Sequence, residues 1–136
     1  MSNFTIQPSQ YENIPAFVLA EVDGLSGSAP YGRLSDDDRH VAGLVCAALT
    51  KYMVDLQERA INGTLGGKES KALDDAYHVV ESLASSQETR IQNVVVTEVF
   101  ENIRTSERVL RVIISRLGPN ARRLHDRWVK YGRANP

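Results

Sequence analysis

The chain has 136 residues, 42% of them hydrophobic and 24% charged, with a formal net charge of −1, the composition and length of an ordinary single-domain globular protein. No apolar run approaches the ~20 residues that a membrane span needs, and a single cysteine, Cys46, excludes an internal disulfide. The small net charge hides a split: residues 1–103 carry 15 acids against 7 bases (net −8), and residues 104–136 carry 9 bases against 2 acids (net +7).

The opening "MSNFTIQPSQYENIP" lacks a basic stretch followed by a long apolar one, so no signal peptide is read and a cytoplasmic protein is expected. Ser9 with Glu12 has the capping-box spacing. Pro15 favours instead a helix that starts near Asn13 with the proline in its first turn. Phe17, Val18, Glu21 and Val22 follow at helical spacing, and Asp23-Gly24 stops the element. Residues 24–35, "GLSGSAPYGRLS", read as a loop.

The longest helix is expected from Ser35, its cap, to Asn62-Gly63, with Asp36, Asp37 and Asp38 in the first turn where the macrodipole favours negative charge. Val41, Leu44, Val45, Ala48, Leu49, Tyr52, Met53 and Leu56 form its apolar stripe. After "NGTLGGK", a flexible connection, a helix carries Leu73, Ala76, Tyr77, Val80 and Leu83 on one face. "SSQET" then turns the chain into an antiparallel partner.

That partner contains Val94, Val95 and Val96, which by propensity favour a strand. Ile91, Val94, Val95, Val99 and Ile103 keep a helical spacing, however, and Val96 and Phe100 make a second apolar pair four apart. A helix apolar on two sides is one buried between neighbours, and burial outweighs the few tenths of a kcal/mol lost per β-branched residue. Thr105 or Ser106 caps the next helix, with Val109, Leu110, Ile113, Ile114 and Leu117 inward. Gly118 suits a left-handed helix end and Pro119 the first turn of the last helix, whose inward residues are Leu124, Trp128 and Tyr131. The fold predicted is all-α: one domain of five to six helices, a compact bundle or HEAT-like stack of antiparallel pairs, with residues 1–8 and 132–136 as loose ends.

Catalytic motifs are missing. Cys46 sits among alanines, valine and leucines, the opposite of an activated thiol's surroundings. His40 follows three aspartates, but adjacent acids on one turn point apart, so helix capping is preferred to a metal site. His78 reads as a partly buried structural histidine. His125 and Asp126, adjacent on a helix, are not expected to face each other. "TLGGKES" has glycines and a lysine without the spacing of a phosphate loop. No enzyme activity, metal or cofactor is expected.

Charge gives two candidate surfaces. Asp36, Asp37, Asp38, Asp74, Asp75 and Glu81 could form an acidic face that steers a basic protein partner. Arg104, Arg108 and Arg111, spaced i, i+4, i+7, and likewise Arg123, Arg127 and Lys130, make two basic stripes suited to phosphate, so nucleic acid is the alternative partner. Solvated helix faces account for both sets without any partner, and packing against a second copy of the chain is a third possibility.

The block "YHVVESLASSQETRIQNVVVTEVFENI" followed by "ISRLGPNARRLHDRW" resembles a family of small bacterial all-helical proteins of uncharacterised function. The positions that carry it are Ile91, Asn93, Val96, Phe100, Glu101, Asn102 and Ile103, then Leu117, Gly118 and Pro119, roughly the C-terminal half. The resemblance implies a single-domain, HEAT-like fold and a role as an immunity protein that neutralises a bacterial toxin by direct contact. It implies no catalytic residues.

Overall fold

A computed structural model describes residues 10–132. The Ser9 cap and the loose ends, of which only Gly132 is described, fall outside that range. Among the described residues there are seven α-helices and no strand: α1 Ile14–Glu21, α2 Ala29–Gly32, α3 Ala42–Ile61, α4 Gly67–Ala84, α5 Thr89–Val94, α6 Glu107–Arg116 and α7 Pro119–Arg127. The class is as predicted; the extra helix is α2, a single turn inside the segment read as a loop. Ser28 caps it, its Oγ accepting from the Tyr31 N–H at 3.4 Å. Leu25 and Tyr31 are buried, so the segment is anchored to the core rather than draped over it.

Helix α1 starts after Asn13 with Pro15 in its first turn. Gly24, at φ +87°, then reverses the chain, and a Cβ there would lie 2.7 Å from the Tyr52 hydroxyl. Only glycine meets both the left-handed backbone and the close approach.

Helices α3 and α4 pack antiparallel, as the Arg59–Glu69 ion pair at 2.6 Å near their connection and the Tyr77 hydroxyl donating to Gln57 Oε1 at 2.8 Å show. Asn62 and Gly63, at φ +74°, end α3 as expected. Its start differs. The backbone of Val41 is extended, and a separate 3₁₀ turn, Asp38–His40, precedes it. Ser35 Oγ accepts from the Asp38 N–H at 3.2 Å, so serine caps this short turn and not the long helix.

The valine-rich segment is helical but not regularly so. After α5 the chain widens into a π turn over Val95–Val99 and tightens into a 3₁₀ turn over Phe100–Asn102. Ile91, Val94, Val95, Val99 and Phe100 are all buried, as two apolar faces require. The Glu98 carbonyl in this turn accepts from Asn102 Nδ2 at 2.9 Å and lies 3.3 Å from Thr50 Oγ1, which also donates within α3 to the Cys46 carbonyl at 2.9 Å. A buried threonine thus ties α3 to the irregular turn.

Ser106 caps α6, and Val109, Ile113 and Leu117 are buried, while Leu110 and Ile114 are half-buried. Gly118 is not a left-handed helix end. It has φ −71° and stands as the N-cap of α7, with Leu117 extended before it. One hydrophobic cluster gathers buried residues from all seven helices. Across it, Gln57 Oε1 also accepts from Arg116 Nη1 at 2.9 Å, Arg116 Nη2 donates to Asp74 at 2.6 Å, and the Arg116 guanidinium lies 4.4 Å from the centre of the Tyr77 ring. This network pins α6 to the α3–α4 pair.

Candidate functional site

The six predicted acidic residues do not form one face. Asp36, Asp37 and Asp38 stand before α3, four or more residues short of its first turn, which corrects their placement at that helix's N-terminus. Asp74 bonds Arg116 beside Gln57, fifteen residues along α3 from Ala42 (57 − 42) or about 22 Å at 1.5 Å per residue. Asp75 is engaged by Lys71 Nζ at 2.6 Å.

Glu81 serves the interior. Its carboxylate accepts from the Asn120 N–H at 3.1 Å, Asn120 Nδ2 at 2.7 Å and the Ala121 N–H at 2.9 Å. These include two of the unsatisfied amides at the start of α7, so a side chain of α4 supplies the cap that Gly118 lacks. Burial alone would raise its carboxyl, but the Ala121 N–H, the Asn120 side chain, the Asn120 N–H and, as the smallest contribution, the Arg123 charge outweigh burial and hold it below the ordinary carboxylate range. The identity of Gly118 follows: a Cβ there would lie 2.5 Å from Glu81 Oε1.

The aspartate turn is braced. The Arg39 guanidinium lies 4.7 Å from the centre of the buried Tyr31 ring and 3.6 Å from Asp36. Asp36 and Asp37 are exposed and Asp38 is half-buried. Immediately after them, Val41 and Leu44 are 44% and 38% exposed. The inward stripe read from the sequence included both; Val41 stands in the extended backbone before α3, and Leu44, within α3, lies on the side of the helix opposite the buried Ala42, Cys46, Leu49 and Met53.

All six predicted basic residues, Arg104, Arg108, Arg111, Arg123, Arg127 and Lys130, are exposed. Their grouping needs correction. Arg104 lies in the non-helical link between Asn102 and Glu107, so it does not continue a stripe through Arg108 and Arg111. Lys130 lies in a second π turn, Trp128–Gly132, with its Nζ 5.2 Å from the centre of the Tyr131 ring. That turn also carries Tyr131 out of the inward face assigned to it, to 57% exposure. Beside it, Val96, Leu124, Arg127, Trp128 and Tyr131 line a shallow groove of about 270 Å³.

Elsewhere, Cys46 is fully buried, and burial, with the Glu98 charge as a smaller contribution, pushes its thiol up to about 12. His78 is exposed, not partly buried. His125 is buried, with its ring 5.1 Å from Phe100 and 5.7 Å from Trp128, and its Nδ1 reaches Asp126 at 3.8 Å despite their adjacency. A cleft of about 490 Å³ runs between the 24–30 segment and α3, with Tyr52, Asp55 and Glu69 on its wall. Arg59 Nη1 and Nη2 hold Glu69 there at 2.6 and 2.8 Å. Among the described residues no group of His, Cys, Asp and Glu converges as a metal site, and no helix is long and apolar enough to cross a membrane.

Comparison with protein-family models, curated proteins and solved structures finds no match.

Proposed function

We propose that the chain is a non-catalytic, protein-binding protein of the immunity type, which blocks a basic effector by direct contact through the Asp36–Asp38 turn. The observation that supports this most is that exposed carboxylates, on a turn braced by Ser35, Arg39 and Tyr31, are followed at once in the chain by the exposed Val41 and Leu44 side chains. Carboxylates steer a cationic partner, and apolar side chains beside them hold it once docked. A braced turn also loses little conformational freedom on binding.

The test uses the intact protein to capture its partner from native lysate after nuclease treatment, followed by binding kinetics with the captured effector. Reversing Asp36, Asp37 and Asp38 to lysine slows association about tenfold or more at low salt, the scale of electrostatic steering. Replacing Val41 and Leu44 by serine acts mainly on dissociation. If both variants bind with wild-type kinetics, the turn is not the contact region.

A further inference from the structure

A second surface, at the other end of the sequence, has a different chemistry. We propose that the groove at the end of α7, lined by Arg127 and close in the chain to Arg123 and Lys130, binds single-stranded nucleic acid through base stacking on Tyr131 and phosphate contacts to the three cations.

The groove has an apolar floor, Val96 and Leu124, and an aromatic wall, Trp128 and Tyr131, with Arg127 at its lip. Tyr131 is 57% exposed, and every base has a π-face suited to stacking on an accessible aromatic side chain. Arg123 and Arg127 are four residues apart on α7 and therefore neighbours on one side of the helix. Lys130 approaches the Tyr131 ring itself. Among the described residues, no carboxylate lies within ion-pair distance of Arg123, Arg127 or Lys130; the nearest in sequence, Asp126, approaches His125. Arg123 donates to Asn120 Oδ1 at 3.2 Å with its other nitrogens remaining, and cations beside an aromatic groove match a ligand that alternates phosphates with planar bases. A duplex hides those faces in its own stack and brings more phosphate toward the acidic remainder of the chain. An acidic peptide would satisfy the cations but has no planar group at each step for the ring.

Trp128 is the chain's single tryptophan, so its emission reports on the groove directly. The full chain is titrated with labelled oligo-dT and oligo-U of about 12 nucleotides, with a duplex of equal length, and with a peptide of alternating glutamate and phenylalanine. Both single strands are expected to change Trp128 emission saturably and to bind more tightly than duplex or peptide. Three phosphate contacts weaken binding roughly 20-fold from about 50 to about 200 mM salt, at about −0.7 in the log–log slope per contact. Tyr131→Ala weakens it about tenfold, and Arg127→Gln weakens it while reducing the salt slope by about 0.7. Arg33→Gln, an exposed cation elsewhere, leaves it unchanged. No single-strand binding at low salt overturns the proposal. So does binding indifferent to Tyr131→Ala and Arg127→Gln, equal binding of duplex, or preference for the acidic peptide; the last assigns the groove to a protein partner.

Discussion

Gly118→Ala isolates the cap that α4 places on α7. At φ −71° alanine is comfortable in the backbone, so any loss must come from its methyl group, which would lie 2.5 Å from Glu81 Oε1, 2.6 Å from Cδ and 2.8 Å from Cγ. Glu81 must swing away and release the Asn120 and Ala121 amides. A lost N-cap costs about 1 kcal/mol and a lost carboxylate near a helix N-terminus up to about another 1, a total of about 2 kcal/mol. With about 2.1 cal/mol/K of unfolding entropy per residue over 136 residues, that lowers Tm by about 7 °C. Glu81→Ala loses the same bonds and a similar amount. The double variant should lose little more than either single one, because alanine at 118 has nothing left to displace. Thermal and urea unfolding of the four proteins measures the coupling. Additive losses would refute the account. The pH dependence follows the same bonds: Glu81 has a depressed pKa when folded, so its contribution is full above the ordinary carboxylate pKa of about 4.3 and is lost as pH falls through the folded value. Glu81→Gln should flatten the acid limb of stability at just that end.

Gly24→Ala should destabilise by about 2 kcal/mol in urea unfolding, since it meets a left-handed backbone and the Tyr52 hydroxyl at once; a change under 0.5 kcal/mol, about the level of a surface substitution, refutes the close approach. Gln57→Leu removes the acceptor shared by Tyr77 and Arg116 and should cost about 2 kcal/mol; introducing Tyr77→Phe beforehand reduces that cost if the shared bond is its cause. Cys46 should resist thiol reagents at pH 8 in the folded protein and react once urea unfolds it, because burial raises its pKa to about 12. Reaction of the folded protein at the unfolded rate would place the thiol at the surface.

The helical stripes of α4 and α6 were legible because Leu73, Ala76, Tyr77, Val80 and Leu83, and then Val109 and Ile113, repeat at a period that local geometry preserves. The break at Val41 was not. Nothing in "SDDDRHVAGLV" interrupts a helical pattern, and the contact beside the break, Arg39 over the Tyr31 ring, is a tertiary one that the local sequence does not show. Placing Val41 inward followed from that unbroken pattern, whereas Leu44 lies within α3 on the side opposite its buried face. Tyr131 misled for a related reason: the spacing i, i+4, i+7 from Leu124 assumes α-helical steps, and the π turn at Trp128–Gly132 does not take them. Glu81 carried no local signal at all, since its partners lie 39 and 40 residues away. The absent Ser, Thr, Asp or Asn before Pro119 was the one available hint that a cap must come from elsewhere. The exposed bases were readable from charge alone, but the groove that Arg127 lines required the fold.

The wide turn at Val95–Val99 has a consequence for chain length. A π turn holds one residue more than an α turn while the helix on either side keeps its course. Loss of one residue there would turn the wide turn into an α turn locally, without rotating Ile91 and Val94 before it or Phe100 after it away from the core. Register passes from α5 into the Phe100–Asn102 turn with the slack of a single residue stored between them.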